Sequence, residues 1–176
     1  MDFFEVVEKR YSHKNPFLPD AVPLEDLELI AKAGLAAPTG INCQCVRLII
    51  LPDKAAIQPV LDAVPSKSLS TAPAAIALLT YEAAQTGRRN FQIEDYSATA
   101  TQMSLAATAL GYGSLWLDNP YVDDAKQKAA LNALGVPEGY YLYVVMPIGL
   151  PGSDISYREK MSFDERVSYR KFMGTK

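Results

Sequence analysis

The stretch from Ala74 to Tyr81 constrains the fold more than any other part of the sequence, because Thr80 is its only polar residue before the final tyrosine. A strand with one buried face alternates apolar and polar residues, and this stretch does not. It is therefore predicted to be a β-strand that is buried on both faces. A sheet containing such a strand needs a layer of other elements on each side.

Three further strands are predicted over 46–51, 113–117 and 140–148, where branched and aromatic residues cluster. Apolar residues spaced three and four positions apart predict helices over 2–10, from Pro23 to before Pro38, and over 53–63, 94–110, 122–134 and 162–172. No Asn-Gly hairpin signal joins the strands, and each connection contains a helix or a long loop. The pattern predicts one α/β or α+β layered domain over residues 1–176.

Composition and charge exclude several classes of protein. The 17 basic and 20 acidic residues leave a net charge of −3, without the basic excess that is typical of nucleic-acid binding. No apolar run approaches the roughly 18 residues that a membrane-spanning helix needs. Asp2 and Glu5 are also wrong for the start of a secretory leader. We therefore expect a cytoplasmic protein without a nucleic-acid or membrane partner.

Two cysteines and one histidine are too few for a disulfide framework or a four-ligand zinc site. Cys43 and Cys45 are interpreted as small apolar residues that enter a strand and stay reduced. The alternative is metal or redox chemistry, since alternation in an extended segment puts both thiols on one side, but only two ligands are then available. His13 has no nucleophile motif with it and is expected to be a surface or loop residue. No metal ligand is predicted.

A polar loop is predicted over 82–94, with Gly87, Arg88 and Arg89 near its middle. Its 13-residue length is unusual for a connection in a compact domain. Two interpretations stay open for it: a lid or partner contact, and an ordinary solvated loop.

The segment Arg10-Tyr11-Ser12-His13-Lys14 follows the first predicted helix. Two cations that flank a hydroxyl suit a phosphate group, because arginine offers a fork of donors and serine adds a short hydrogen bond. An ordinary basic helix C-terminus is the alternative interpretation.

The segment 36–44 reads Ala-Ala-Pro-Thr-Gly-Ile-Asn-Cys-Gln and precedes the first strand. Pro38 and Gly40 favour a tight turn, while Asn42 and Gln44 present carboxamides that can pair with a planar imide or carbonyl edge.

Further along, residues 105–116 are predicted to form a small-residue helix that breaks at Gly111 and Gly113. Those glycines allow the backbone to approach a flat ligand closely.

In this order and spacing, the three segments resemble the FMN-dependent nitroreductase family. That family's usual strings are an early Arg-x-Ser-x-Arg, then Ala-Pro-Ser-x-x-Asn-x-Gln, then Ala-x-x-Leu-Gly-Leu-Gly-Ser. The tail segment Ile148-Gly149-Leu150-Pro151 is similar to the family's closing Gly-Tyr-Pro, and Arg158 follows it. The resemblance covers nearly the whole chain. It implies an α+β fold, a three-layer α/β/α sandwich with a central, mostly antiparallel sheet flanked by helices.

Carried over position by position, the resemblance implies an FMN site in three parts. The phosphate and ribityl chain would be held by Arg10, Ser12, Lys14 and Arg158, with Tyr11 beside them. The isoalloxazine would be lined by Pro38, Thr39 and Asn42, with Gln44 at its edge, and covered on its other side by the backbone of Ser114, Leu115 and Trp116. Lys14 and Thr39 are conservative departures from the family strings. Cys45-Val46 replaces a frequent Pro-Trp, which affects packing or substrate preference.

The resemblance also implies an activity. NAD(P)H would reduce FMN and leave, and a nitroaromatic, quinone or related acceptor would replace it, in a homodimer that binds FMN at the subunit interface. Such chemistry needs little acid–base help from the protein, because the flavin carries the hydride. A non-catalytic or low-turnover flavin-binding protein is the alternative, and an interaction domain whose motifs coincide by chance is a third. The sequence assigns no catalytic residue, no acceptor and no preference between NADH and NADPH.

Overall fold

The computed structural model of the chain describes residues 1–81, 90–153, 155 and 157–172. Most of the predicted loop 82–94, including Gly87, Arg88 and Arg89, lies outside the described residues. The described chain resumes at Asn90, and the next helix begins at Gln92, two residues before its predicted start.

Within the described residues, four strands form one antiparallel sheet: Val46–Leu51 (β1), Ala74–Tyr81 (β2), Gly113–Ser114 (β3) and Tyr140–Gly149 (β4), in the spatial order β1-β2-β4-β3. β1 and β2 have the predicted bounds. β3 is shorter than predicted, because the chain leaves the sheet after Ser114 and returns only for a single bridge between Leu117 and Val145. The side chain of Trp116, between these points, packs against Tyr96 with ring centroids 5.9 Å apart.

The described part of the chain has seven α-helices: Phe3–Lys9 (α1), Leu24–Leu35 (α2), Lys54–Ala63 (α3), Lys67–Thr71 (α4), Gln92–Ala109 (α5), Asp124–Ala133 (α6) and Phe163–Arg166 (α7). The sequence patterns missed α4, whose signal is the N-cap Ser66 with its Oγ accepting from the Leu69 N–H. The predicted helix 162–172 was too long, because α7 ends at Arg166 and Val167 is already extended.

Both faces of the sheet are buried, as the composition of β2 predicts. Ala74, Ile76 and Leu78 lie in an apolar cluster with residues of α2 and α5, whereas Ala75, Ala77 and Leu79 lie in a second cluster with residues of α3, α4 and α6. The alternation follows from the two-residue period of a strand. The three-layer α+β arrangement with an antiparallel sheet is therefore confirmed. Among the described helices, none has the length and apolar character needed to cross a bilayer.

Candidate cofactor site

The first half of the site is built where α1 ends. Asp2 and Glu5 form a capping box at the start of this helix, and Arg10 leaves it with extended backbone angles. The chain then runs beside β3: Ser12 bridges Ser114, and the His13 N–H donates to the Ser114 carbonyl over 2.9 Å. This pairing holds the Arg-x-Ser-x-Lys segment against the edge of the sheet.

His13 lies in a loop, one of its two expected places, but it is buried, with 2% of its surface exposed. Its Nε2 lies 3.3 Å from the Pro16 carbonyl, which can only accept, and its Nδ1 lies 3.2 Å from the Tyr11 hydroxyl. The ring also packs on Phe17, with centroids 4.5 Å apart. Gly113 leaves the space it needs, because a Cβ there would lie 3.0 Å from the imidazole Cγ. His13 is thus a packed anchor for its segment.

The chain after β4 returns to the same place. The Leu18 N–H donates to the Leu150 carbonyl over 2.9 Å, and the Asn15 amide donates to the Ser153 hydroxyl over 2.8 Å. Further on, the Tyr157 hydroxyl donates to the Lys9 carbonyl over 3.2 Å, at the end of α1. These contacts carry the tail across the Arg-x-Ser-x-Lys segment.

The tail and this segment enclose a basic cavity of about 410 Å³, called the basic cavity below. Its lining includes five of the predicted residues, together with Lys160, which the sequence patterns missed: Arg10, Tyr11, Ser12, Lys14, Arg158 and Lys160. The one salt bridge within the described residues joins Lys32 to Glu28, so no described carboxylate neutralises the four cations. Four cations and a hydroxyl around one cavity fit a phosphate group. Burial and the neighbouring Tyr157 raise the pKa of Tyr11, which keeps its phenol a hydrogen-bond donor.

The second half of the site is the turn between α2 and β1. Here Pro38, Thr39, Asn42 and Gln44, all predicted, line a cavity of about 620 Å³, called the loop cavity below. Ile41, Asn42 and Gln44 have φ angles of 49°, 59° and 49°, in the left-handed region that costs an L-residue roughly 1–2 kcal/mol. The Thr39 hydroxyl accepts from the Gln44 N–H over 3.3 Å, and the Gln44 amide donates to Asn42 over 3.2 Å. The turn therefore directs both carboxamides to one side.

Asp95, in the first turn of α5, holds this turn in place. Its Oδ1 accepts from the Gly40 N–H over 2.8 Å, and its Oδ2 accepts from the Cys43 and Cys45 thiols over 2.9 and 3.3 Å. Burial, followed by the hydrogen bond to Asp95, raises the pKa of Cys43, and the same causes raise the pKa of Cys45 to about 12. Both groups are therefore protonated donors at neutral pH.

The two cysteines lead into β1, and Cys45 is buried, as predicted, but their role is wider than apolar packing. Their thiols do point to one side, but the segment is not extended: Cys43 has helical backbone angles and Gln44 a positive φ. The thiols also make polar contacts with Asp95 rather than only apolar ones. The sequence patterns missed Asp95, and its one local signal is a carboxylate on the buried face of a small-residue helix.

Arg47 is a second residue that the patterns missed. Its guanidinium donates to the Gln44 carbonyl over 2.8 Å and lies over the Tyr81 ring, 5.1 Å from the centroid. Arg47 also lines the loop cavity, where it is the one cation among the described residues of its wall. Its signal in the sequence is a basic residue in an otherwise apolar strand.

Ser114, Leu115 and Trp116 line neither cavity. Ser114 lies beside Ser12 through the strand bridge, and Trp116 packs on Tyr96. That their backbone covers a cofactor stays a prediction. No described residue lines both cavities, so the phosphate-type and carboxamide-type halves of the predicted site are separate within the described part of one chain.

Known proteins resemble this chain at the level of a family and of individual relatives. The model of the Nitroreductase family matches residues 7–70 and 60–150. A candidate NADH dehydrogenase/NAD(P)H nitroreductase from Archaeoglobus fulgidus is 30% identical over 136 residues, which is 77% of this chain and 78% of the relative.

Solved structures agree in fold. An FMN-dependent nitroreductase from Clostridium difficile R20291 superposes with a TM-score of 0.80 at 25% identity, over 96% of this chain and 99% of that one. A candidate nitroreductase from Desulfovibrio desulfuricans, solved in complex with FMN, has a TM-score of 0.81 at 22% identity and covers 98% of each chain, a likeness of fold alone. Family model, relative and architecture coincide over most of the sequence, and the chain belongs to the nitroreductase family.

Proposed function

We propose that the protein is a single-domain, FMN-dependent oxidoreductase that uses NAD(P)H to reduce nitroaromatic, quinone or related acceptors in the cytoplasm. The observation that carries the proposal is the basic cavity, where Arg10, Lys14, Arg158 and Lys160 converge with Ser12 and no described carboxylate opposes them. A phosphomonoester matches this charge and this set of donors. The match to the Nitroreductase family, and the structural similarity to one protein described as FMN-dependent and to another solved with FMN, support FMN as the ligand that carries this phosphate.

The residues of the loop cavity suit the other end of such a ligand. Asn42 and Gln44 offer donors and acceptors to a ring edge, and Pro38 offers a flat apolar surface. Arg47 places a positive charge in the same cavity, which favours electron-rich groups there. When bound, FMN would supply the hydride-accepting ring, and the protein would supply position and electrostatics.

The separation of the two cavities supports a homodimer. The ligand's phosphate end suits one cavity and its ring end the other, yet none of the residues that the structure describes lines both. We infer that the basic cavity of one copy and the loop cavity of its partner hold the same FMN, so that each dimer has two composite sites. Exposed apolar residues on α1 and in the tail, among them Phe4, Met161 and Phe172, are available for such an interface.

The activity is tested by the absorbance of purified protein. We expect a yellow protein that releases FMN on denaturation, loses its visible absorbance with NADPH or NADH under anaerobic conditions, and regains it when a quinone or nitroaromatic is added. A yellow protein that neither nicotinamide bleaches would support the alternative, a non-catalytic flavin-binding protein. A colourless protein that takes up no added FMN would overturn both.

The composite site is tested by mixing defective subunits. Arg10→Ala damages the basic cavity and Asn42→Ala the loop cavity, so a mixed dimer holds one doubly damaged site and one intact site. Random assembly makes half of the dimers mixed, and we expect about a quarter of the sites to bind FMN normally after co-expression with two different tags.

The matched control mixes Arg10→Ala with Arg158→Ala. Both changes lie in the basic cavity, so every site in the mixed dimer keeps one defect and no restoration is expected. Equal restoration in both mixtures, or none in the first, would contradict a site shared between subunits.

A further inference from the structure

Three potential metal ligands converge behind the turn at 39–44. The Sγ of Cys43, the Sγ of Cys45 and a carboxylate oxygen of Asp95 all lie within 4.8 Å of one another. Two elements supply them, since the cysteines precede β1 and Asp95 belongs to α5. Asp95 is 2% exposed, Cys45 is 1% exposed and Cys43 is part-exposed, so the cluster is closed except on the Cys43 side.

We propose that Cys43, Cys45 and Asp95 form a Zn²⁺ site that fastens the turn at 39–44 to α5. Two thiolates and a carboxylate are ligands that zinc accepts, and three protein ligands leave a fourth tetrahedral position for water. Cys43 is part-exposed, so its side of the cluster provides the entry path for the ion. The site goes beyond flavin chemistry and does not depend on it.

The present geometry needs only small shifts to receive the ion. At zinc–sulfur and zinc–oxygen lengths of about 2.3 and 2.1 Å, tetrahedral ligands lie roughly 3.6 Å apart. The two thiols are 2.9 and 3.3 Å from Asp95 Oδ2, so each sulfur moves outward by less than an ångström. The left-handed Gln44 between the cysteines turns both thiols to the same side, which makes the pair a chelate.

The charge and the hydrogen bonds of the cluster also suit the replacement of the two thiol protons by Zn²⁺. Zn²⁺ displaces one proton from each thiol, and both protons pass to solvent. The cluster of two thiols and one carboxylate has a charge of about −1, and it keeps this charge with two thiolates, the carboxylate and the ion. The Gly40 N–H continues to donate to Asp95 Oδ1, the kind of outer contact that orients a ligating carboxylate.

The test uses the full-length chain, kept reduced by a phosphine, with and without bound flavin. Zn²⁺ is titrated in competition with a chromophoric chelator, and Co²⁺ is added separately to detect thiolate-to-cobalt charge-transfer absorption. We expect one Zn²⁺ per chain and a charge-transfer band with Co²⁺. Loss of a residue that only hydrogen-bonds a metal ligand lowers metal affinity by up to about 100-fold. Cys43→Ser and Cys45→Ser each remove a ligand itself, so each should lower zinc affinity by at least about 100-fold.

Glu94→Gln is the matched control, because it removes an exposed carboxylate one position before Asp95 and should leave zinc affinity unchanged. Zinc binding that survives both serine substitutions would mean surface binding only and would overturn the proposal. Should the serine variants fail to fold, absence of the cobalt band in the unaltered chain would overturn it equally. A chain that binds zinc but no flavin would support this site and reject the proposed function.

Discussion

Replacing Arg10 with alanine should lower the affinity of the protein for FMN by about 10- to 150-fold. Arg10 is the first residue after α1, lies half-buried at the wall of the basic cavity, and has no carboxylate partner among the described residues. A charge-assisted hydrogen bond to phosphate contributes roughly 1.5–3 kcal/mol, and each 1.4 kcal/mol is a tenfold change in affinity. The measurement is equilibrium titration of flavin-free protein with FMN, followed by quenching of flavin fluorescence.

Lys9→Ala is the control for this prediction. It removes the same charge from the end of the same helix, but Lys9 does not line the basic cavity, and its contact with Tyr157 is made by the backbone carbonyl. The Lys9 side chain is exposed, so salt screens its charge, and the FMN affinity of Lys9→Ala should stay within about threefold of the unaltered protein. Equal losses in both variants would show that overall charge, rather than a contact by Arg10, attracts the ligand. No loss in Arg10→Ala would remove this residue from the site.

The sequence predicts those elements whose signal is local and continuous. Val46–Leu51 and Ala74–Tyr81 have the predicted bounds because unbroken apolar runs define them. β3 could not be delimited in this way, because its end depends on the packing of Trp116 against Tyr96 in another element. α7 was overestimated for a related reason: residues 162–172 are exposed, so their apolar spacing does not reflect burial against this chain.

The candidate site could likewise be predicted only where its residues are contiguous in the sequence. Residues of the Arg-x-Ser-x-Lys and Pro-Thr-x-x-Asn-x-Gln segments could be named because each segment is contiguous, and the structure gathers each around its own cavity. Asp95 could not be named, since its partners Gly40, Cys43 and Cys45 lie 50 to 55 residues away. The sequence places His13 in a loop but does not show that it is buried, because its burial depends on the space that Gly113 leaves on a neighbouring strand.

Asp95→Asn should lower the free energy of unfolding by roughly 1–3 kcal/mol and weaken FMN binding with it. The substitution keeps one acceptor for the Gly40 N–H but replaces the other oxygen with an amide group that faces two thiol donors. A buried donor left without an acceptor costs about 1–3 kcal/mol. The turn at 39–44, with three residues at positive φ, depends on these contacts to stay in a conformation that its backbone disfavours.

Glu94→Gln separates this effect from the loss of charge near the start of α5. It removes one negative charge from the same helical turn and leaves the three hydrogen bonds of Asp95 in place, so its free energy of unfolding should fall less than that of Asp95→Asn. Urea unfolding of both variants, with FMN titration of each, checks the prediction. If Asp95→Asn unfolds like Glu94→Gln yet loses flavin affinity, the carboxylate acts on the ligand rather than on the turn. If Asp95→Asn changes neither the free energy of unfolding nor the FMN affinity, the prediction is wrong. The turn would then keep its conformation without the three hydrogen bonds to Asp95.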